Sequence, residues 1–126
     1  MMGGAVPSEL RVLRFQMDEI TEALQAFAPR VGLSMPNKPI VWAEACPGAN
    51  ASQTRFKFVG CDTDLTMSND MIAAGLISHC QANGIPLPRT WEKSISVATS
   101  YIELRVANLS GARPKEAGDT EAAALV

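Results

Sequence analysis

Apolar residues recur at helical spacing in two stretches of the chain and alternate with polar ones in several others. Ile20, Ala23, Leu24, Phe27 and Val31 fall along one stripe and predict a helix over residues 17–31. Asp18, Glu19 and Glu22 occupy its first turns, where the helix dipole favours negative charge. Pro29 lacks an N–H, so it ends the regular hydrogen bonding early or kinks the last turn. Gly32 can then adopt a positive φ, Leu33 can fold back on the last turn, and Pro36 blocks continuation. A second helix is predicted from about Asp70, with Ser68 or Asn69 as its cap and Ile72, Leu76, Ile77 and Cys80 along one side. Asn83 and Gly84 close it, Ile85 folds back, and Pro86 and Pro88 force an extended exit.

Strand-like sequence follows each helix. Residues 40–45 predict one strand, and residues 54–59 alternate strictly between polar and apolar. Residues 46–53 form a loop by composition. In the second half, residues 95–97 begin a strand and residues 101–106 alternate again. The short Ala98-Thr99-Ser100 link predicts a tight hairpin. Residues 8–15 fit either a strand or a lead-in to the first helix.

The two halves align with each other at an offset of 52 residues, with identical pairs Leu13/Leu65, Asp18/Asp70, Ile20/Ile72, Leu24/Leu76, Gly32/Gly84 and Pro36/Pro88. Lys38-Pro39-Ile40 lies over Lys93-Ser94-Ile95 once the second copy is allowed three extra residues. The predicted fold is α+β: a tandem αββ repeat, with both helices on one face of a single four-stranded antiparallel sheet and a pseudo-twofold relating the halves. Short strands at residues 11–15 and near Leu65 would extend the sheet. One unit, about 50 residues, is marginal for a core of its own, so the halves should fold together. The expected organisation is one domain over residues 1–110, with repeats at about 13–60 and 65–108. It includes a leader at 1–7, and a mobile tail at 111–126 follows.

The stretch Asp70-Met71-Ile72-Ala73-Ala74-Gly75-Leu76-Ile77-Ser78-His79-Cys80, with Gly84-Ile85-Pro86-Leu87-Pro88-Arg89 and Lys93 after it, resembles short uncharacterised bacterial proteins, chiefly alphaproteobacterial. The resemblance falls on the second repeat, about residues 65–106. It implies a bacterial, cytoplasmic setting and brings no catalytic residue with it. The first copy departs from the pattern, with Ser34 in place of Pro86 and Asn37 in place of Arg89.

Composition narrows the function classes. A hydrophobic content of 47% with 19% charged residues suits a folded soluble chain. No apolar run approaches the roughly 18–20 residues of a membrane span, and the N-terminus lacks the charged and apolar regions of a secretory signal. A net charge of −2 argues against a dedicated nucleic-acid binder, which carries a basic excess. Cys46, Cys61 and Cys80 have no metal-ligand spacing and fit a reducing compartment, so neither a metal nor a cofactor is expected.

Candidate chemistry is thin. His79 and Cys80 could pair as base and nucleophile, but neighbouring helical residues diverge by about 100°. His79 lies over Phe27 and Cys80 over Ala28 in the first copy, which predicts packed positions. Asp62, Asp64 and Asp70 cluster without a calcium-loop pattern. In Arg55-Phe56-Lys57-Phe58, alternation puts the cations on one face and the phenylalanines in the core. No phosphate loop, dinucleotide fingerprint or nucleophile elbow is present. The proline linkers carry the strongest functional hint. Met35, Pro36, Leu87, Pro88, Arg89 and Trp91 are of the types that anchor interfaces, and they occupy comparable positions in the two copies. The sequence thus favours a non-catalytic protein-interaction or regulatory module that binds a protein partner or a second copy of itself. One alternative is a nucleic-acid-associated regulator using Arg55, Lys57, Arg89, Lys93 and Arg105. The other is a small enzyme with a cleft between the repeats that uses Cys80, His79 or Asp62.

Overall fold

The computed structural model describes residues 8–108. The chain runs β1 (Glu9–Gln16), α1 (Met17–Phe27), β2 (Ile40–Ala45), β3 (Gln53–Phe58), β4 (Leu65–Ser68), α2 (Asn69–Ala82), β5 (Glu92–Val97) and β6 (Tyr101–Asn108). The leader at 1–7 and the tail at 111–126 lie outside the described residues. No helix among the described residues is long and apolar enough to cross a membrane.

The fold is α+β with two helices, but its strands form two three-stranded antiparallel sheets rather than the single sheet expected. One sheet has the order β1-β6-β5 and the other β2-β3-β4. Each hairpin recruits its third strand from the other half of the chain. β1 lies along β6 with Glu9 opposite Asn108, while β4 lies along β3 with Met67 opposite Thr54. The sheets meet where the Ala43 N–H donates to the Thr99 carbonyl at 3.1 Å. A register shift between Ile40 and Trp42 marks a bulge in β2, which bends the strand and interrupts its pairing.

Alternation decides which residues enter the core. Thr54, Phe56 and Phe58 are buried on β3, and Ile102, Leu104 and Val106 on β6. Ile20, Ala23 and Leu24 of α1 and Ile72, Leu76 and Cys80 of α2 join the same cluster. The helices touch closely. A Cβ at Gly75 would stand 2.8 Å from Leu24 Cδ2, well inside van der Waals contact.

Local chemistry sets the helix ends. The α-helical bonding of α1 stops at Phe27 and residues 28–31 tighten into a 3-10 turn, because Pro29 has no N–H for the Gln25 carbonyl. Gly32 follows with φ 75°, and the Leu33 N–H returns to the Ala28 carbonyl at 2.9 Å. In α2, Gly84 has φ 71° and the Ile85 N–H returns to the Cys80 carbonyl at 2.9 Å. Both turns leave the chain folded back on the last turn of its helix, as the glycine-plus-apolar pattern predicts. At the other end of α2, Ser68 Oγ accepts from the Met71 N–H at 3.1 Å. The buried Thr54 hydroxyl donates to Asn69 Oδ1 at 2.7 Å, which fixes the start of α2 against β3.

Replacing Gly75 by valine drives branched atoms into the end of the Leu24 side chain, which has to shift within an enclosed site. Gly75→Val is expected to cost about 2–3 kcal/mol in urea unfolding. Gly75→Ala is expected to cost less, because helix propensity returns about 1 kcal/mol.

Candidate interaction surface

Both proline linkers are pinned from within the chain. Gln25 Nε2 donates to the carbonyls of Pro36 at 3.3 Å and Lys38 at 3.0 Å. The Ile40 N–H donates to Thr21 Oγ1 at 3.0 Å, which ties the start of β2 to α1. In the second linker, Lys93 Nζ donates to the carbonyls of Pro88 at 2.8 Å and Trp91 at 2.9 Å. Arg11 reaches across from β1 and donates to the Pro86 carbonyl at 3.2 Å. These side chains satisfy linker carbonyls that have no ladder partner, so both linkers hold a fixed course, the second turning at residues 88–91 where the Trp91 N–H donates to the Pro88 carbonyl at 3.4 Å.

The sequence-predicted interface residues take unequal positions. Met35, Leu87 and Trp91 are half-buried and pack against the core. Pro36 and Pro88 are half-buried as well, and Arg89 is exposed. Met35 and Pro36 border a hollow of about 230 Å³ with Gln25, Pro29 and Leu33. A larger hollow of about 390 Å³ lies at the start of α2, between Ser52, Asn69, Asp70 and Lys93, and includes neither Leu87 nor Trp91.

Sequence reasoning missed the surface of β1. Phe15 is buried and Leu13 half-buried on the inner face, while Leu10 and Val12 face outward with 59% and 44% of their surface exposed. Leu10 stands opposite Ala107 and Val12 opposite Arg105. Arg14, on the same outward face, bonds Glu103 at 2.9 Å and lies 3.8 Å above the Tyr101 ring. The available signal was apolar residues on both faces of one strand, which residues 10–15 contain, but the two arginines obscure the alternation.

The remaining candidates are engaged elsewhere. Arg55 pairs with Glu44 and stands 3.6 Å from Asp64. Lys57 Nζ donates to the Cys61 carbonyl at 2.6 Å, and Arg105 lies 3.7 Å from Glu103. Asp62 is exposed on a turn. His79 is half-buried and meets Phe15 edge to face, with ring centres 6.1 Å apart. Cys80 is fully enclosed, and burial pushes its thiol pKa up, opposed by the nearby positive charge of Arg11. A thiol held neutral is a poor nucleophile. Among the described residues, no three of His, Cys, Asp and Glu gather where they could hold a metal ion.

All three cysteines are free thiols, but only Cys46 and Cys61 reach the surface. A colorimetric disulfide reagent at pH 8 is expected to titrate these two in the folded protein. Cys80 is expected to react only after denaturant is added, and rapid reaction of all three would contradict its burial. No protein-family model, curated protein or solved structure matches this chain.

Proposed function

We propose that the chain is a non-catalytic protein-interaction or regulatory module, which recognises a protein partner or a second copy of itself. One observation carries this reading. β1 is an eight-residue sheet edge with exposed Leu10 and Val12, and Arg11 bonds it to the linker that bears Leu87, Pro88, Arg89 and Trp91. An open edge offers backbone donors and acceptors to another chain, and exposed apolar side chains beside it add burial on contact. Met35 and Pro36, in the first linker, provide the equivalent surface on the other half.

The same reading takes the halves as copies of one unit about a pseudo-twofold axis. β1 and β4 enlarge that unit from αββ to βαββ. Several observations support it. Exchanging the halves converts the order β2-β3-β4 into β5-β6-β1. Ile20 and Ile72 are both fully buried, as are Leu24 and Leu76 to within 1%. Ala23 and Gly75, the small residues at matching positions, both lie in the interior.

The competing readings draw less support. Arg55, Lys57, Lys93 and Arg105 have acidic or carbonyl groups close by, so a phosphate would have to displace them. An enzyme built on Cys80 would need a thiolate that burial disfavours. A bacterial cytoplasmic setting belongs to the proposal, and free thiols suit it.

Native mass spectrometry of untagged protein, purified gently at low salt, tests the proposal. The expected species is two chains, or one chain with a protein partner, and no small ligand. A single chain carrying a metal, nucleotide or nucleic acid would overturn the reading. Arg89→Glu, at the exposed position of the second linker, is expected to weaken association about tenfold with an unchanged circular dichroism spectrum.

A further inference from the structure

We infer that β1 pairs antiparallel with β1 of a second copy, in the register that places Leu10 opposite Leu10, and that the two three-stranded sheets thereby join into one of six strands. The inference rests on the interaction reading above and names its surface. β1 is the longer of the two strands that meet the opposite half, runs eight residues against β6 without a register shift, and contains no proline. Of the usual protections of a sheet edge, β1 lacks shortness, a bulge and a proline; it has only charge, in Glu9, Arg11 and Arg14.

Charge selects the second copy and its register. Directly opposed residues of an antiparallel pair share a face, so a twofold axis must fall on a residue of the strand. With the axis at Arg11, two guanidinium groups face each other. With the axis at Val12, Arg11 opposes Leu13 and Arg14 opposes Leu10. With the axis at Leu13, Arg11 opposes Phe15. With the axis at Leu10, Glu9 of each copy opposes Arg11 of the other, giving two opposite-charge pairs. In that register Leu10 meets its own counterpart, Val12 lies diagonally within reach, and residues 8–12 form the ladder, close to the usual strand length of about five residues.

Geometry permits the pairing. Glu9 is exposed. Arg11 uses one terminal nitrogen on the Pro86 carbonyl, which holds its guanidinium beside the strand and leaves further N–H donors for a carboxylate. Arg14 is held by Glu103 on the other face and takes no part.

Sedimentation equilibrium of the full chain at low salt tests the register. Glu9→Lys and Arg11→Glu should each raise the dimer dissociation constant about tenfold, since each breaks two pairs and sets like charges opposite one another. The double variant E9K/R11E should return it to within about threefold of the original. Leu10→Lys puts two charges at the axis from an exposed position and should leave monomers with an unchanged circular dichroism spectrum. That variant keeps the test decisive if R11E disturbs the Pro86 contact. A dimer insensitive to all of these substitutions would overturn β1 pairing while the interaction reading survived through another surface. A monomer at every concentration up to about 100 µM would exclude the second copy and leave only a different protein as partner.

Discussion

The fold depends on how closely α1 can approach α2. Neither helix has enough apolar surface to stand alone, and the inner faces of two small sheets have to be covered by both at once. Gly75 makes this possible by leaving its volume to Leu24. A larger residue would push the Leu24 side chain from its place between the helices and disturb its packing in the core. Glycine costs about 1 kcal/mol of helix propensity at this position, and the burial of several large side chains outweighs it.

The interleaved strands have the same consequence at the level of the sheets. The first half supplies β1 to the hairpin of the second, and the second supplies β4 to the hairpin of the first. The β1-β6-β5 sheet joins residues 9–16 to residues 92–108 and closes only when these distant segments meet, whereas β2, β3 and β4 follow one another within residues 40–68. The pairing of β1 with β6 brings together residues 9–16 and 101–108 and so carries the larger loop-closure cost. The hydrogen bond from Ala43 to the Thr99 carbonyl joins the two sheets.

Much of this was legible in the sequence where short-range chemistry decides. Gly32 with Leu33 and Gly84 with Ile85 announced their turns, because a positive φ and an apolar return contact are both local demands. Alternation in residues 54–59 and 101–106 separated the core-facing side chains from the outward ones. It could not say which strands pair, because alternation reports a face and not a neighbour. The split into two sheets was therefore hidden. The second linker was expected to be extended throughout but turns at residues 88–91, and Met35, Leu87 and Trp91 are half-buried, since the side chains that pin the linkers lie far away in sequence or carry charge that suggests a surface position. Lys93 is the clearest case: as a residue type it suggests a phosphate contact, and in the fold it clamps the carbonyls of its own linker. The outward face of β1 was missed because Arg11 and Arg14 break the period.

The pairing of Glu9 with Asn108 has a mechanical meaning. Residues 9 and 108 sit side by side on neighbouring antiparallel strands, at a spacing of about 5 Å. Tension applied across them pulls perpendicular to the strands and loads the β1–β6 ladder one rung at a time. The domain would peel open from that corner at low force, and β1 would be the first strand to leave. A protein stretched between those two points would yield as a zipper, whereas force applied along the strands would have to break the whole ladder together.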